Sequence, residues 1–229
     1  MDSTFLARME QILALYAEPT SSQYPLLCFD ERPCFLIGEH VAGLEMKAGR
    51  PTRRHYAYEK NGSCALLMAI EPVTGKRLAQ VYDRRTKKEY ALFMKELAAT
   101  YPQAKKIRVV QDNLNTHSTS AFYEAFSAEE AFALSQRFEF YYTPKSASWL
   151  NMIEIEFSAL SKQCLNRRLA TKEELTKEVL SLVKEREEKA VKIDWQFSIE
   201  SARNKLNRHY REVNGDNAQY QKLSFQCTK

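Results

Sequence analysis

No stretch of this sequence is apolar for long enough to cross a membrane. The longest such run, Cys64 to Ile70, falls far short of the roughly 20 residues a spanning helix needs. Met1 is followed by an acid rather than the basic start of a signal peptide, so a cytoplasmic protein is expected. Cysteine is sparse and odd in number: Cys28, Cys34, Cys64, Cys164 and Cys227. None falls in the close CxxC pair that marks zinc and redox sites, which leaves reduced, mostly buried thiols. Internal repeats and low-complexity segments are missing. With 44% hydrophobic and 28% charged residues the chain is too apolar to be disordered. Neither sign of charge dominates: 34 basic against 29 acidic residues leave +5, which permits nucleic-acid binding without requiring it.

What is present is enough for one well-buried domain with decorations. Phe5, Leu6, Met9, Ile12, Leu13 and Tyr16 recur at helical spacing until Pro19 and Thr20-Ser21-Ser22 end the pattern. A linker helix over residues 1–24 is expected, ahead of one domain over 25–229. PLLCFDE is a compact apolar run stopping at two acids, as a buried strand does when its carboxyl end meets a polar site, and Asp30 stands at that end. From Gly38 to Arg54 the composition turns to glycine, proline and basic residues, which reads as a long exposed excursion.

Strands around Cys64–Ile70 and Arg77–Tyr82, joined at Pro72-Val73-Thr74-Gly75, complete a three-stranded meander. Tyr90, Phe93, Met94, Leu97 and Ala98 mark a helix that stops before Pro102. KKIRVVQDN supplies a fourth strand, again running into an acid, Asp112. A helix over about 118–136 follows, then a fifth strand in RFEFYYTP, and from Asn151 onward the chain reads as almost all helix. This order predicts an α/β fold with a mixed five-stranded sheet flanked by helices, the order of the ribonuclease-H-like fold.

Two strands that each end in Asp bring their side chains together if the strands are sheet neighbours. Acids so placed repel one another unless they share a proton or hold a cation, and their hard oxygens suit Mg2+ or Mn2+. A single Asp at a strand end is more often a turn or capping residue, so a third acid matters. It lies in SASWLNMIEIEFSALSKQC, where Leu150, Ile153, Phe157, Leu160 and Cys164 form a core stripe. Glu154 and Glu156 stand roughly 80° either side of the stripe centre at about 100° per residue, so periodicity does not choose between them.

CFDE, VVQDNLNTH and TPKSASWLNMIE together resemble the three catalytic blocks of DDE transposases in the bacterial insertion-sequence, or six-thirty, branch of the Tc/mariner superfamily. GRPTRRHYAYEKNGSCALLMAIEPVTGK and DWQFSIESARNKLNR are similar to the flanking segments of that family, so the resemblance covers nearly the whole chain. Carried over block by block, it implies Asp30, Asp112 and Glu154 as ligands of two Mg2+ or Mn2+ ions, with Asp30 bridging. It further implies that residues 25–229 form a catalytic domain that frees a 3′ hydroxyl at a transposon end and joins it to target DNA, commonly at TA, as a homodimer on DNA. Two departures stand out. Ser146-Ala147-Ser148-Trp149 replaces the usual Tyr-Ser-Pro, with Met152 where Pro is common. The spacing from Asp112 to Glu154 also exceeds that of mariner-type relatives, which implies an extra loop or helix between them.

Around these acids, Asn113, Asn115 and His117 are candidate supporting residues, His117 either beside the scissile phosphate or simply bonded to nearby backbone. Trp149 suits core packing better than stacking on a base. Arg50, Arg53 and Arg54 are candidate phosphate contacts or part of a dimer interface. Lys162, Arg167 and Arg168 could line a DNA channel or serve solubility. Nothing in residues 1–25 is long enough for the family's helix-turn-helix modules, so end recognition is expected from a separate or fused N-terminal half. The competing functions are a nuclease of the same fold that does not join strands, and a DNA-binding remnant that no longer cuts.

Overall fold

Every residue from Cys64 to Ile70 is buried, which makes this run the middle of the molecule. In the computed structural model, which describes residues 1–40 and 56–217, it forms the second half of β2 (Tyr58–Ile70). β2 pairs antiparallel with β1 (Leu26–Glu39) and β3 (Arg77–Tyr82). β1 then pairs parallel with β4 (Ile107–Gln111), and β4 parallel with β5 (Phe138–Tyr142). The sheet order is β3-β2-β1-β4-β5, the mixed five-stranded α/β arrangement that the element order predicts.

Strand side chains alternate between faces, and each face has its own core. Leu27, Phe29, Ala65, Leu67, Ala69 and Val109 pack under α2 (Lys87–Thr100), α3 (Ser120–Ala125) and α4 (Ala128–Ser135). Cys28, Leu66, Met68, Ile70 and Val110 pack on the opposite face against α1 (Ser3–Ala17), α5 (Ile153–Gln163) and α6 (Lys172–Glu188). A third cluster joins α1 to α7 (Ile199–Lys205) and α8 (Asn207–Val213) through Phe5, Leu6, Met9, Leu13, Ala202 and Tyr210. Glu10 fastens this junction, accepting from both Arg203 and Tyr210.

Three boundaries differ from the sequence reading. β1 does not stop at Asp30 but runs on to Glu39, because β2 extends far enough to pair with it. The helix expected over 118–136 is two helices: Phe126 is extended, and the Ser127 hydroxyl caps α4 by accepting from the Glu130 N–H. Residues 190–198 are not helical. Ala190 takes a positive φ of 47° beyond the end of α6, and the Ile193 N–H donates to the Pro72 carbonyl at 3.0 Å. Cys28, Cys34, Cys64 and Cys164 are free and buried, as expected, while Cys227 lies outside the described residues. Among the described residues no helix is long and apolar enough to cross a membrane.

Candidate active site

The β1–β4 register brings the first two acids together. Cys28 is paired with Val110, and both side chains enter the core beneath α5. Asp30 and Asp112 each lie two residues further on, and the two-residue period of a strand returns them to that same side. Parallel pairing ends at this level, so the two chains part where the acids stand. Burial is the main influence on Asp30, and the negative charges of Asp112 and Glu154 add to it. Together they outweigh the Glu31 N–H, which donates to Asp30 at 2.7 Å, and the positive influence of His117. The carboxyl is pushed up to about 7.

Asp112 is held from below. His117 Nδ1 lies 2.5 Å from Asp112 Oδ1, while its Nε2 faces Glu31 Oε2 at 3.5 Å. The imidazole is fully buried, stacked on Tyr90 and set edge-on to Phe29. Burial alone would lower its pKa, but the two carboxylates prevail and raise it to about 9, so both ring nitrogens carry protons at neutral pH. In turn, burial would raise Asp112, but the imidazolium outweighs it and keeps the carboxyl below its ordinary range. His117 therefore lies beneath the site, paired with acids. Neither exposure to a phosphate nor a simple bond to nearby backbone describes it.

Glu154 and Glu156 have separate settings. Glu156 is completely buried and accepts from Arg77 Nε and Nη2 at 3.0 and 2.8 Å and from Arg186 Nε and Nη2 at 3.1 and 2.9 Å. Burial would raise its carboxyl, yet the two guanidiniums hold it below the usual range. Glu154 is exposed in the first turn of α5, and its charge reaches Asp30.

The start of α5 is tied directly to the strand that carries Asp30. The buried Asn151 side chain donates to the Phe29 carbonyl at 2.8 Å. Further along, Arg32 Nη1 donates to the Phe157 carbonyl at 3.1 Å. Tyr16, from α1, donates to the Leu150 carbonyl at 2.7 Å.

The remaining sequence candidates are scattered. Asn113 and Asn115 are exposed beside Asp112. Trp149 is 43% exposed and meets Phe197 edge-on. At the end of α5 and just beyond it, Lys162 is exposed, Arg167 pairs with Glu178, and Arg168 donates to the Ala57 and Tyr56 carbonyls. Arg50, Arg53 and Arg54 lie outside the described residues. Sequence pattern does not single out Glu31 and Asn151, although both sit inside the motifs, one beside Asp30 and the other three residues before Glu154. Arg77 and Arg186 carry no such signal, since they meet Glu156 across 79 and 30 positions of sequence.

Oxygen donors that repel one another, one of them half-buried and held near neutrality, form a set whose charge a hard divalent cation would relieve. They do not make a closed cage: among the described residues no three acidic, histidine or cysteine side chains converge on one point.

Residues 25–176 match the family described as DDE superfamily endonuclease. No curated protein matches the chain. Among solved structures it is similar to the Mos1 mariner paired end complex with Mn, at 13% identity and a TM-score of 0.50, covering 96% of this chain and 64% of that one. It is also similar to the Mos1 transposase paired-end complex with left transposon end, at 12% identity and TM-score 0.53 with coverage of 96% and 64%. A third is the Mos1 strand transfer complex, at 10% identity and TM-score 0.54 with coverage of 95% and 62%. At these identities the likeness is one of fold, and the chain spans less than two thirds of the length of those relatives.

Proposed function

The chain belongs to the DDE superfamily endonucleases, and on that ground we propose that it is the catalytic half of a transposase that cuts and rejoins DNA strands. The observation that carries this reading is the register of β1 against β4, which sets Asp30 and Asp112 on one side of the sheet with the charge of Glu154 acting on Asp30. In this reading Asp30, Asp112 and Glu154 would hold two Mg2+ or Mn2+ ions. When bound, such a pair supplies Lewis acidity to the scissile phosphate and to the attacking and leaving oxygens.

The chain's own residues prepare that site. His117 donates Nδ1–H to Asp112, which keeps the carboxylate ionised and fixes the direction of its oxygens. Asn151 holds the first turn of α5 against Phe29, so Glu154 keeps its distance from Asp30. The engagement of Glu156 by two arginines supports Glu154 as the third acid, because a carboxylate with four donors has little to offer a cation.

The wider assignment has the same standing. The motif resemblance favours the six-thirty insertion-sequence branch, a homodimer on transposon ends and target DNA, and a helix-turn-helix half that recognises those ends. It places the protein on DNA in a bacterial cytoplasm. Asn113 and Asn115 would support Asp112, and Lys162, Arg167, Arg168, Arg50, Arg53 and Arg54 would contact phosphates. The test is cleavage and strand joining on supercoiled and pre-nicked DNA with Mg2+ or Mn2+, comparing the natural chain with Asp112→Asn. Joined products that vanish in the variant are expected. Cleavage without joining would reduce the protein to a nuclease, and activity surviving in Asp112→Asn would remove Asp112 from the site.

A further inference from the structure

A pole of acids repels the phosphates it would act on, so a strand brought to Asp112 needs cations nearby. Two described cations beside Asp112 are not among those the motifs suggest. A cleft of about 440 Å³ opens beside Asp112 between the end of β5 and α1, and its lining includes Leu114, Pro144, Lys145 and, from α1, Arg8. It continues into a hollow of about 630 Å³ that shares Arg8, Pro144, Lys145 and Ser146 and adds the exposed Met1 and one acid, Asp2. Neither Arg8 nor Lys145 has a hydrogen-bond or ion-pair partner among the described residues. Two unpaired cations thus face one groove whose other walls are partly apolar.

Both walls are firm. Arg8 projects from a helix anchored by the buried Leu6, Met9, Ile12 and Leu13. Lys145 belongs to a turn closed by the Ala147 N–H donating to the Pro144 carbonyl at 3.1 Å, with Ala147 itself buried. Ser146 holds φ at 61°, a left-handed conformation that a non-glycine residue seldom adopts without a reason. This turn is the Ser146-Ala147-Ser148-Trp149 segment in which the sequence departs from the related motif.

We propose that the cleft is a track for one single DNA strand leading away from Asp112, with Arg8 and Lys145 paired to its phosphates and the exposed Leu114 and Met1 against its sugars and bases. The inference rests on the DNA-cutting reading and adds to it a site for the strand. A groove that combines cations with apolar walls is the chemistry of sequence-tolerant single-strand binding. Its size suits a few nucleotides of one strand.

The experiment is fluorescence anisotropy with a labelled single-stranded oligonucleotide and its blunt duplex, with Ca2+ in place of Mg2+, over a range of salt concentrations. The chains compared are the natural one, Arg8→Ala, Lys145→Ala, the double variant and Lys145→Arg. Lys184→Ala, a paired surface cation on α6 at the opposite edge of the sheet, is the control. Each lost phosphate contact should make the single-strand salt slope shallower by about 0.7, so the double variant should lose about 1.4. Lys145→Arg and Lys184→Ala should bind as the natural chain does, and thermal unfolding confirms that every variant is folded. Single-strand binding unchanged in the double variant overturns the track. An equal loss for duplex and single strand overturns its assignment to one strand. If the natural chain binds neither DNA, the DNA-cutting reading itself fails.

Discussion

Two charge clusters meet α5 within one turn of each other and follow opposite rules. Around Glu156 the account balances: the buried carboxylate meets Arg77 and Arg186 through four hydrogen bonds, and Glu187 accepts from the Arg77 N–H at 2.6 Å. Around Asp30 it does not, because burial and two neighbouring acids leave its carboxyl pushed up to about 7. The balanced cluster joins α5 to β3 and α6 and serves the fold. The unbalanced one destabilises the chain locally, and under the proposed function a cation would relieve it. Strain of this kind gathers at functional sites because the rest of the structure supports it.

The comparison breaks first at Asp30. Asp30→Asn is expected to reduce metal-dependent DNA cleavage to background while making the metal-free chain more resistant to urea. A variant less stable than the natural chain would show that the charge is compensated after all. The opposite substitution in the balanced cluster, Arg77→Ala, should cost about 3–5 kcal/mol of stability, since it strands a buried carboxylate. An unchanged urea midpoint would mean that Glu156 is not held as described.

Asn151→Ala tests the link between the clusters. It should lower the cleavage rate about 10–100-fold, the range for residues that orient a ligand through another group. The metal concentration needed for half-maximal rate should rise, and the fall in rate should exceed what unfolding explains. A fall matched by lost folded protein would leave Asn151 a purely structural residue.

The smallest effect belongs to Glu10, whose carboxyl is held below the ordinary range first by Arg203, with burial opposing and Tyr210 assisting. A depressed acid stabilises the fold above the ordinary glutamate range, and that contribution disappears as the pH falls below it. The pair is partly exposed, so Arg203→Ala should cost within about 1 kcal/mol near neutral pH. In denaturation midpoints the difference from the natural chain should shrink in acid. A difference that grows on acidification would reverse the sign argued here.

The comparison also explains what could be read from sequence. Continuous apolar runs mark β2 and β4 because both faces of the sheet are covered, and β1, β4 and β5 begin where their patterns begin. The outer half of β1 is mostly polar or partly exposed, and pairing with β2 rather than burial makes it a strand, so the pattern stopped short at Asp30. Phe126 and Ser127 divide a helix that periodicity alone continues. Glu154 and Glu156 flank the apolar stripe symmetrically, and what separates them is a pair of arginines far away in sequence. Local pattern reports which face is buried. It does not report which distant partner a buried charge will meet.

The register of Cys28 against Val110 sets out where this chain can gain or lose residues. One residue inserted into β4 ahead of Asp112, or into β1 ahead of Asp30, would turn that acid to the other face of the sheet. Between His117 and β5, by contrast, lie two short helices, α3 and α4, and their three connections. Length added there is taken up before β5 restores the register with β4. The interval between the second and third acids along the chain can therefore drift while their places in space stay the same. Insertions scanned along the gene should be tolerated around α3 and α4 and lethal to activity in the short segments of β1 and β4 ahead of the two acids.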